Sequence, residues 1–249
     1  MDINRSGVVL AGESNTGLTR SHNEDNFLIF TPSGGAAALA VIADGIGGHG
    51  KGETASSICC AEMFRAARER DSAAWDETFL RAALDAANAR IFARNFAERR
   101  TRPMGCTVVA AVFFADRLIV ANAGDSRLYE YDPDNAVPLR QHTIDHRPPC
   151  AEGRRYDARN ELSNFVSKSL GTHRRVEPEI KVLSRPPRAR YLLCSDGLYS
   201  VLPNSMFAGM LGSDLSVRGV TGKLMCDALL SGTRDNVTLI CAGPPDEER

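Results

Sequence analysis

The chain has 249 residues, of which 43% are hydrophobic, and no linker-like stretch divides it, so we expect one domain over residues 1–249. Thirty basic and thirty-one acidic residues leave a formal net charge of −1, which gives no electrostatic reason to expect nucleic acid or an anionic membrane as a partner. No signal-type segment follows Met1 and no apolar run approaches the roughly 18 residues of a membrane helix, so we predict a cytoplasmic protein. We also expect a monomer.

The cysteines indicate neither a disulfide framework nor a zinc site. Their number, seven, is odd, and no two of them form a Cys-x-x-Cys pair. Cys106, Cys194 and Cys241 lie in apolar runs typical of strands, where cysteine behaves as a small hydrophobic residue. We therefore expect reduced thiols and no zinc.

The first polar loop lies between predicted strands at 8–12 and 27–30. It places Arg20 close in sequence to Glu24 and Asp25. An ordinary solvated loop is one interpretation. In the other, Arg20 binds a phosphate through two hydrogen bonds, and the two acidic residues hold or support metal ions.

An apolar run at 36–43 delivers Asp44 to a glycine-rich turn, and helical patterning follows. The glycines formally satisfy the dinucleotide-binding fingerprint, but no second strand with an acidic end follows, which argues against that fold. They also imitate a phosphate-binding loop, but Gly52 occupies the position of its metal-binding hydroxyl. Two interpretations remain: Asp44 is a ligand of a hard metal ion, or it is a solvated residue in a tight turn.

The middle of the chain is predicted to form two helices followed by three strands. Helical patterning covers 54–70 and 76–100, and the second helix carries an apolar stripe. Strand patterns at 105–114, 117–123 and 126–131 are separated by short loops, which predicts an antiparallel meander. The second of these loops contains an aspartate, which would then lie at the end of a hairpin.

A long irregular segment at 133–164 separates these strands from the last elements. It holds several prolines and arginines, and such a segment inside a compact domain is more often functional than decorative. Beyond it we predict strands at 179–183 and 190–194, a helix at 217–228 and a final strand at 237–241.

Aspartates stand at the ends of four predicted strands: Asp44, Asp125, Asp196 and Asp235. Any one of them alone is more often a turn residue than a ligand. The chain offers no persuasive catalytic cysteine or nucleophile elbow. Carboxylate oxygens are the ligands that Mg²⁺ and Mn²⁺ prefer, so the set as a whole predicts a binuclear site for these ions.

The aspartates lie in motifs that resemble those of the metal-dependent type 2C protein serine/threonine phosphatases of the compact bacterial kind. The motifs follow the family order and span almost the whole chain, which makes the resemblance highly specific. They are 20–25 (RSHNED), 41–49 (VIADGIGGH), 105–107 (GCT), 121–127 (ANAGDSR), 169–171 (SLG), 194–197 (CSDG) and 234–238 (RDNVT).

The resemblance implies both a fold and an activity. The fold is of the α+β class, an α-β-β-α sandwich of two antiparallel sheets flanked by helices. The activity is hydrolysis of phosphoserine and phosphothreonine in proteins by direct attack of a metal-activated water, which would counteract a serine/threonine kinase in signalling.

The same resemblance implies that the aspartates bind Mn²⁺ or Mg²⁺. By position, Asp44 would bridge two catalytic ions, and the backbone carbonyl of Gly45 would bind one of them. Asp196 and Asp235 would complete the pair, and Asp125 with Asp196 would hold a third ion. The two catalytic ions would lower the pKa of a bridging water and neutralise charge on the phosphoryl oxygens.

Three further roles follow from the resemblance, together with one departure from it. Asp25 would be a ligand directly or through water, with Glu24 behind it, and Arg20 would bind the substrate phosphate. Some family members are thought to protonate the leaving oxygen from a histidine, but Ile46 occupies that position here. His49 is near in sequence and suits a structural role in the turn, so we expect a metal-bound water to be the acid.

A second departure concerns residues 146–166, where the family places a flap beside the active site. The usual flap sequence is not recognisable here, and the segment carries Arg147, Arg154, Arg155 and Arg159. We hypothesise that these arginines favour acidic phosphoprotein partners by electrostatic steering.

Two other functions remain open from the sequence. A catalytically silent relative could bind phosphoproteins as a scaffold, although retention of all the aspartates and of Arg20 argues against it. The other is a metal-dependent hydrolase of small phosphate esters, because the metal chemistry is indifferent to the group that carries the phosphate.

Overall fold

Two antiparallel sheets pack face to face between layers of helices in the computed structural model, which describes residues 6–47, 51–99, 101–147 and 166–245. In chain order the elements are β1 (Val9–Asn15), β2 (Asp25–Phe30), β3 (Ala38–Ile46), α1 (Lys51–Arg68), a short 3₁₀ helix (Ser72–Ala74), α2 (Glu77–Ala97), β4 (Gly105–Cys106), β5 (Val108–Phe113), β6 (Arg117–Ala123), β7 (Arg127–Tyr131), β8 (Leu139–Gln141), β9 (Glu179–Ser184), β10 (Arg190–Cys194), α3 (Asp196–Tyr199), α4 (Asn204–Leu211), α5 (Val217–Leu230) and β11 (Val237–Gly243).

The sheets share no strand. The β1 sheet has the order β1-β11-β10-β7-β8, and the β3 sheet has the order β2-β3-β5-β6-β9 with β4 paired to the end of β3. One apolar cluster fills the space between the sheets, a second lies between the β3 sheet and helices α1 and α2, and a third lies between the β1 sheet and helices α3 to α5. The predicted α-β-β-α sandwich is therefore confirmed.

β3 runs through the centre of the β3 sheet and is buried on both faces. Its residues Ala40 and Ile42 face the β1 sheet, whereas Leu39 and Val41 face the helices. Because neither face meets solvent, the strand is a continuous apolar run and lacks the alternation of a half-exposed strand. This burial gives Asp44, at the end of the strand, a rigid support.

Helix α2 confirms the apolar stripe predicted from its spacing. The side chain of Asp76 caps the helix by accepting a hydrogen bond from the backbone N–H of Phe79 at 2.8 Å. The stripe packs against helix α1 and the β3 sheet and is fully or almost fully buried at Leu80, Ala83, Leu84, Ala87 and Ile91.

The predicted meander is wrong at its second turn. β5 and β6 do form a hairpin, but β6 belongs to the β3 sheet and β7 to the β1 sheet, so the chain at Gly124 and Asp125 crosses between the sheets. Gly124 has φ +125°, and a Cβ there would lie 2.4 Å from the Cβ of Thr107. A glycine is required at this corner, and strand spacing alone cannot distinguish such a corner from a hairpin.

Some elements form where the sequence predicts none, and some residues singled out in the sequence lie outside the described part of the chain. β8 forms within the segment predicted to be irregular, and the short helices α3 and α4 follow β10. His49, Arg154, Arg155 and Arg159 lie outside the described residues. None of the described helices has both the length and the apolar content needed to cross a membrane.

Candidate active site

The pairing of β2 with β3 places two of the predicted ligands opposite each other. Asp25 and Asp44 are Cα partners at the end of this antiparallel pair. The backbone carbonyl of Glu24 extends the pairing, since it accepts hydrogen bonds from the N–H of Gly45 at 3.1 Å and from the Oγ of Ser56 at 2.7 Å. Two adjacent strands therefore bring Asp25 and Asp44 to the same edge of the sheet.

The turn after Asp44 needs glycine at two positions. A Cβ on Gly45 would lie 2.3 Å from the carbonyl group of Gly52, and a Cβ on Gly52 would lie 2.6 Å from that of Gly45. The backbone N–H of Gly52, in the first turn of α1, donates to Oε1 of Glu24 at 3.2 Å. Glu24 thus fixes the start of α1 against the end of β3, which keeps the Gly45 carbonyl in place.

The β1 sheet brings two more aspartates to the same edge. Asp196 is the first residue of α3, directly after β10, and Asp235 lies just before β11. Asn236 joins this region to the polar loop before β2. Its Oδ1 accepts from the N–H of Glu24 at 2.9 Å, and its Nδ2 donates to the carbonyl of His22 at 2.9 Å.

Ser195 connects the two sheets beneath the site. Its Oγ donates to Oδ2 of Asp25 at 2.7 Å and accepts from the backbone N–H of Thr238 at 3.0 Å. Ser195 is fully buried and Asp25 is 8% exposed. The hydroxyl therefore fixes the Asp25 carboxylate from the side of the opposite sheet.

Asp125, at the corner between the sheets, is paired with an arginine. Its carboxylate forms a salt bridge with Nη2 of Arg147, which also lies 3.6 Å from Oδ2 of Asp196. The backbone carbonyl of Asp125 accepts from the hydroxyl of Tyr199 at 3.0 Å. The sequence placed Arg147 among the flap arginines that steer acidic partners, and this is wrong for Arg147, because its side chain is largely buried against Asp125 and Asp196 in the site.

These residues surround a cavity of about 200 Å³ at the sheet edge. Arg20 lies beside it with its side chain 51% exposed, and its Nη2 is 2.8 Å from Oδ2 of Asp235. Asp25 is the one predicted site residue beneath the cavity wall. The lining residues are Arg20, Glu24, Asp44, Gly45, Ile46, Gly47, Thr107, Asp125, Val166, Asp196, Asp235 and Asn236. A larger groove of about 670 Å³ beside Arg188 and Arg190 contains none of the predicted site residues.

Burial and mutual repulsion disturb the protonation of the aspartates. Burial raises the pKa of Asp25 to about 6, against the lowering effect of the Ser195 hydrogen bond. Burial also raises the pKa of Asp196 to about 8, with further increases from the charges of Asp125 and its other acidic neighbours. The pKa of Asp44 lies well above its usual value because of burial and the charge of Asp25.

The donor set suits hard divalent cations in kind and in charge. It consists of carboxylate and carbonyl oxygens, and its acidic side chains outnumber the two positively charged guanidinium groups of Arg20 and Arg147. Among the residues that the structure describes, no three His, Cys, Asp or Glu side chains form a ready metal cluster. The carboxylates of Asp235 and Asp125 are instead directed to the two arginines.

Comparison with known proteins identifies the family. The family model described as "Protein phosphatase 2C" matches residues 18–216. The chain belongs to this family. The serine/threonine phosphatase stp of Listeria monocytogenes is 31% identical over 233 residues, which cover 90% of this chain and 91% of that protein. The serine/threonine protein phosphatase PstP of Mycobacterium tuberculosis is 30% identical over 95% of this chain and 45% of its own length.

Solved structures agree with this assignment. The catalytic domain of the phosphatase PstP, in complex with two manganese ions, superposes with a TM-score of 0.78 and 29% identity over 95% of this chain and 97% of that one. The S. agalactiae serine/threonine phosphatase has the same fold, with a TM-score of 0.85 at 24% identity. The family resemblance seen in the sequence is confirmed. The roles of individual residues as ligands remain predictions.

Sequence reasoning missed the residues that hold the aspartates in place. Ser195 and Asn236 lie inside recognised motifs, but their hydrogen bonds reach residues about 170 and 210 positions away. Tyr199 and Arg147 carry no motif signal. The available hint was that Ser195 and Asn236 adjoin Asp196 and Asp235, because a hydroxyl or amide that folding buries there needs a hydrogen-bond partner.

Proposed function

We propose that this protein 2C family member is a metal-dependent phosphatase that hydrolyses phosphoserine and phosphothreonine in proteins. The observation that carries the proposal is one cavity where Asp44, Asp125, Asp196 and Asp235 meet from both sheets, with a half-exposed Arg20 beside it. A site with this excess of negative charge binds a phosphate only if cations are supplied. The manganese ions named for the PstP structure are consistent with such a supply.

The residues that would hold the ions follow from their places around the cavity. Asp44, the Gly45 carbonyl, Asp196 and Asp235 would hold two Mn²⁺ or Mg²⁺ ions, and Asp125 with Asp196 would hold a third. When bound, the ions supply an activated water as nucleophile and neutralise charge on the phosphoryl oxygens. Asp25, whose carboxylate Ser195 holds, would be a ligand directly or through water, with Glu24 behind it.

Arg20 is the residue that would bind the phosphoryl group. Asp235 holds one of its terminal nitrogens, and about half of the side chain remains open to solvent. A guanidinium offers further N–H donors in the plane that matches two phosphate oxygens. Arg20 is therefore placed to orient the substrate phosphate over the carboxylates.

The leaving seryl or threonyl oxygen must take a proton after the P–O bond breaks. Ile46 lines the cavity where some relatives are thought to use histidine, and none of the lining residues in the described part of the chain is a histidine. We propose that the proton comes from water in the site. The side chains of the site, Arg20 among them, would then serve to orient the substrate.

The biological setting belongs to the proposal as well. We propose that the substrates are phosphoproteins made by an opposing serine/threonine kinase, and that the protein acts as a monomer with one catalytic domain. The near-neutral net charge is consistent with recognition through local contacts. Cytoplasmic localisation stays a prediction.

A comparison of three substrates tests this function. The full chain with Mn²⁺ is expected to release phosphate from phosphoserine and phosphothreonine peptides and to lose that activity in a chelator. Turnover of p-nitrophenyl phosphate without turnover of either peptide would indicate a hydrolase of small esters. Tight peptide binding without any phosphate release would indicate a scaffold.

A further inference from the structure

Arg147 lies against two carboxylates to which the proposed function assigns a metal ion. We propose that its guanidinium is a tethered cation that competes with a divalent ion for Asp125 and Asp196. The inference rests on the proposed function, since that function places an ion at this pair. It assigns Arg147 an influence on metal binding that the family motifs do not give it.

The contact is a buried one. Nη2 of Arg147 forms a salt bridge with the Asp125 carboxylate and lies 3.6 Å from Oδ2 of Asp196. The side chains are 15% exposed for Arg147, 5% for Asp125 and 21% for Asp196. Attraction between charges so poorly solvated is much stronger than between surface charges.

A set of aromatic and charged contacts holds Arg147 in this position. Its Nη2 donates to the hydroxyl of Tyr199 at 3.2 Å, and that hydroxyl donates to the backbone carbonyl of Asp125 at 3.0 Å. The guanidinium of Arg127 lies 3.5 Å from the ring centroid of Tyr199, and Arg127 is itself bound by Asp145 at 2.7 Å. Arg147 is therefore placed by several partners.

The contrast with Arg20 shows why displacement of Arg147 is costly. Arg20 and Asp235 are 51% and 39% exposed, so water replaces their contact at little cost. Arg147 has less access to water, and an ion that takes the carboxylates must first displace its charge. The ion at Asp125 and Asp196 should accordingly bind more weakly than those at Asp44.

Calorimetric Mn²⁺ titration of the full chain tests the inference without an activity readout. The wild type is expected to bind two ions tightly and a third weakly. Arg147→Met keeps the apolar stem and removes the charge, so its weakest Mn²⁺ should bind at least about tenfold more tightly, a change of about 1.4 kcal/mol. Arg147→Lys keeps a charge and should stay close to the wild type.

Matched variants identify the carboxylate pair as the place of the change. Arg188→Met alters an exposed arginine paired with Asp134 and should leave every Mn²⁺ affinity within about twofold of the wild type. Asp125→Asn added to Arg147→Met should abolish the gain. Tyr199→Phe removes one partner of Arg147 and should tighten the weakest ion by a smaller factor, which gives a second test if Arg147→Met does not fold.

The outcomes distinguish failure of this inference from failure of the proposed function. If the wild type binds two ions and Arg147→Met binds the weakest ion no better than Arg188→Met does, the inference fails and the proposed function stands. If Arg147→Met is unfolded by circular dichroism and Tyr199→Phe leaves the weakest affinity unchanged, the inference fails as well. A wild type that binds no Mn²⁺ overturns both.

Discussion

The two sheets hold their aspartates by different means. In the β3 sheet, Asp25 and Asp44 are direct partners across β2 and β3, so backbone pairing places their Cα atoms opposite each other. In the β1 sheet, Asp196 and Asp235 lie beside strand ends, and the amide of Asn236 joins their region to the neighbouring loop. One half of the site is positioned by ladder hydrogen bonds and the other by individual side chains.

This difference predicts where the site is fragile. A strand ladder shares its restraint among many bonds, so loss of one neighbouring side chain leaves the register intact. A buried side-chain hydrogen bond has no such substitute, because removing one partner leaves a buried polar group with a hydrogen bond unmade. Single polar changes should therefore affect the connections between the sheets more than the β2–β3 pairing itself.

The largest expected effect is that of removing a ligand charge from either half. Asp44→Asn and Asp235→Asn keep the side-chain shape, so both variants should fold. Each should lose more than about 100-fold in activity, since even residues that only support metal ligands cost 10–100-fold when changed. Initial rates on a phosphoserine peptide measure this, and excess Mn²⁺ should restore part of the loss. Wild-type rates at low Mn²⁺ for Asp44→Asn would mean that Asp44 is only a turn residue.

Ser195→Ala should have the next largest effect, although Ser195 is not a predicted ligand. It removes the hydroxyl between Asp25 and Thr238, and we expect a loss of about 10–100-fold in Mn²⁺ affinity. The unpaired buried groups should also lower the free energy of unfolding by about 1–3 kcal/mol. Calorimetric titration and urea unfolding measure these changes. Ser205→Ala, at an exposed position of α4, is the control and should alter neither quantity.

Arg20→Ala should act mainly on substrate binding. In its proposed role, Arg20 would contact the phosphate in both the bound substrate and the transition state, so KM should rise about tenfold while kcat falls less. Steady-state kinetics with a phosphothreonine peptide separate the two constants. An unchanged KM would contradict the assignment of Arg20 to the phosphate.

The smallest effect is a pH dependence of stability in the metal-free protein. The folded-state pKa values of Asp25, about 6, and Asp196, about 8, lie above the unfolded value of about 3.9. The folded state therefore binds more protons, and the stability from these groups is complete below about pH 4 and is lost as pH rises through 6 and 8. In a chelator, Tm should fall steadily between pH 5 and pH 8. Asp196→Asn should flatten the upper part of that fall, and a Tm that rises with pH across this range would contradict the sign.

The same difference explains what the sequence could predict. The approach of Asp25 to Asp44 follows from two neighbouring strands, a local pattern, and the sandwich follows from the family motifs. The corner at Gly124 has the sequence spacing of a hairpin. The structure shows instead that β6 and β7 belong to different sheets and that Gly124 has φ +125°. Spacing along the chain does not specify which sheet a strand joins.

The unpredicted contacts share one physical property, which is long separation in the chain. Ser195 reaches Asp25 across 170 residues, and Arg147 reaches Asp196 through side chains alone. Neither leaves a periodic pattern, because each depends on the register of one sheet against the other. A buried polar residue beside a motif indicates that a partner exists, and only the packed sandwich shows which residue it is.

The corner at Gly124 has a consequence for how the enzyme fails on heating. It delivers Asp125 to the seam where the sheets meet, so the cavity has walls from both layers and no half that can work alone. Sliding or separation of the layers would disperse the carboxylates before either sheet loses its own strands. Thermal inactivation should therefore precede or coincide with the loss of secondary structure, and activity serves as a sensitive report on the docking of one sheet against the other.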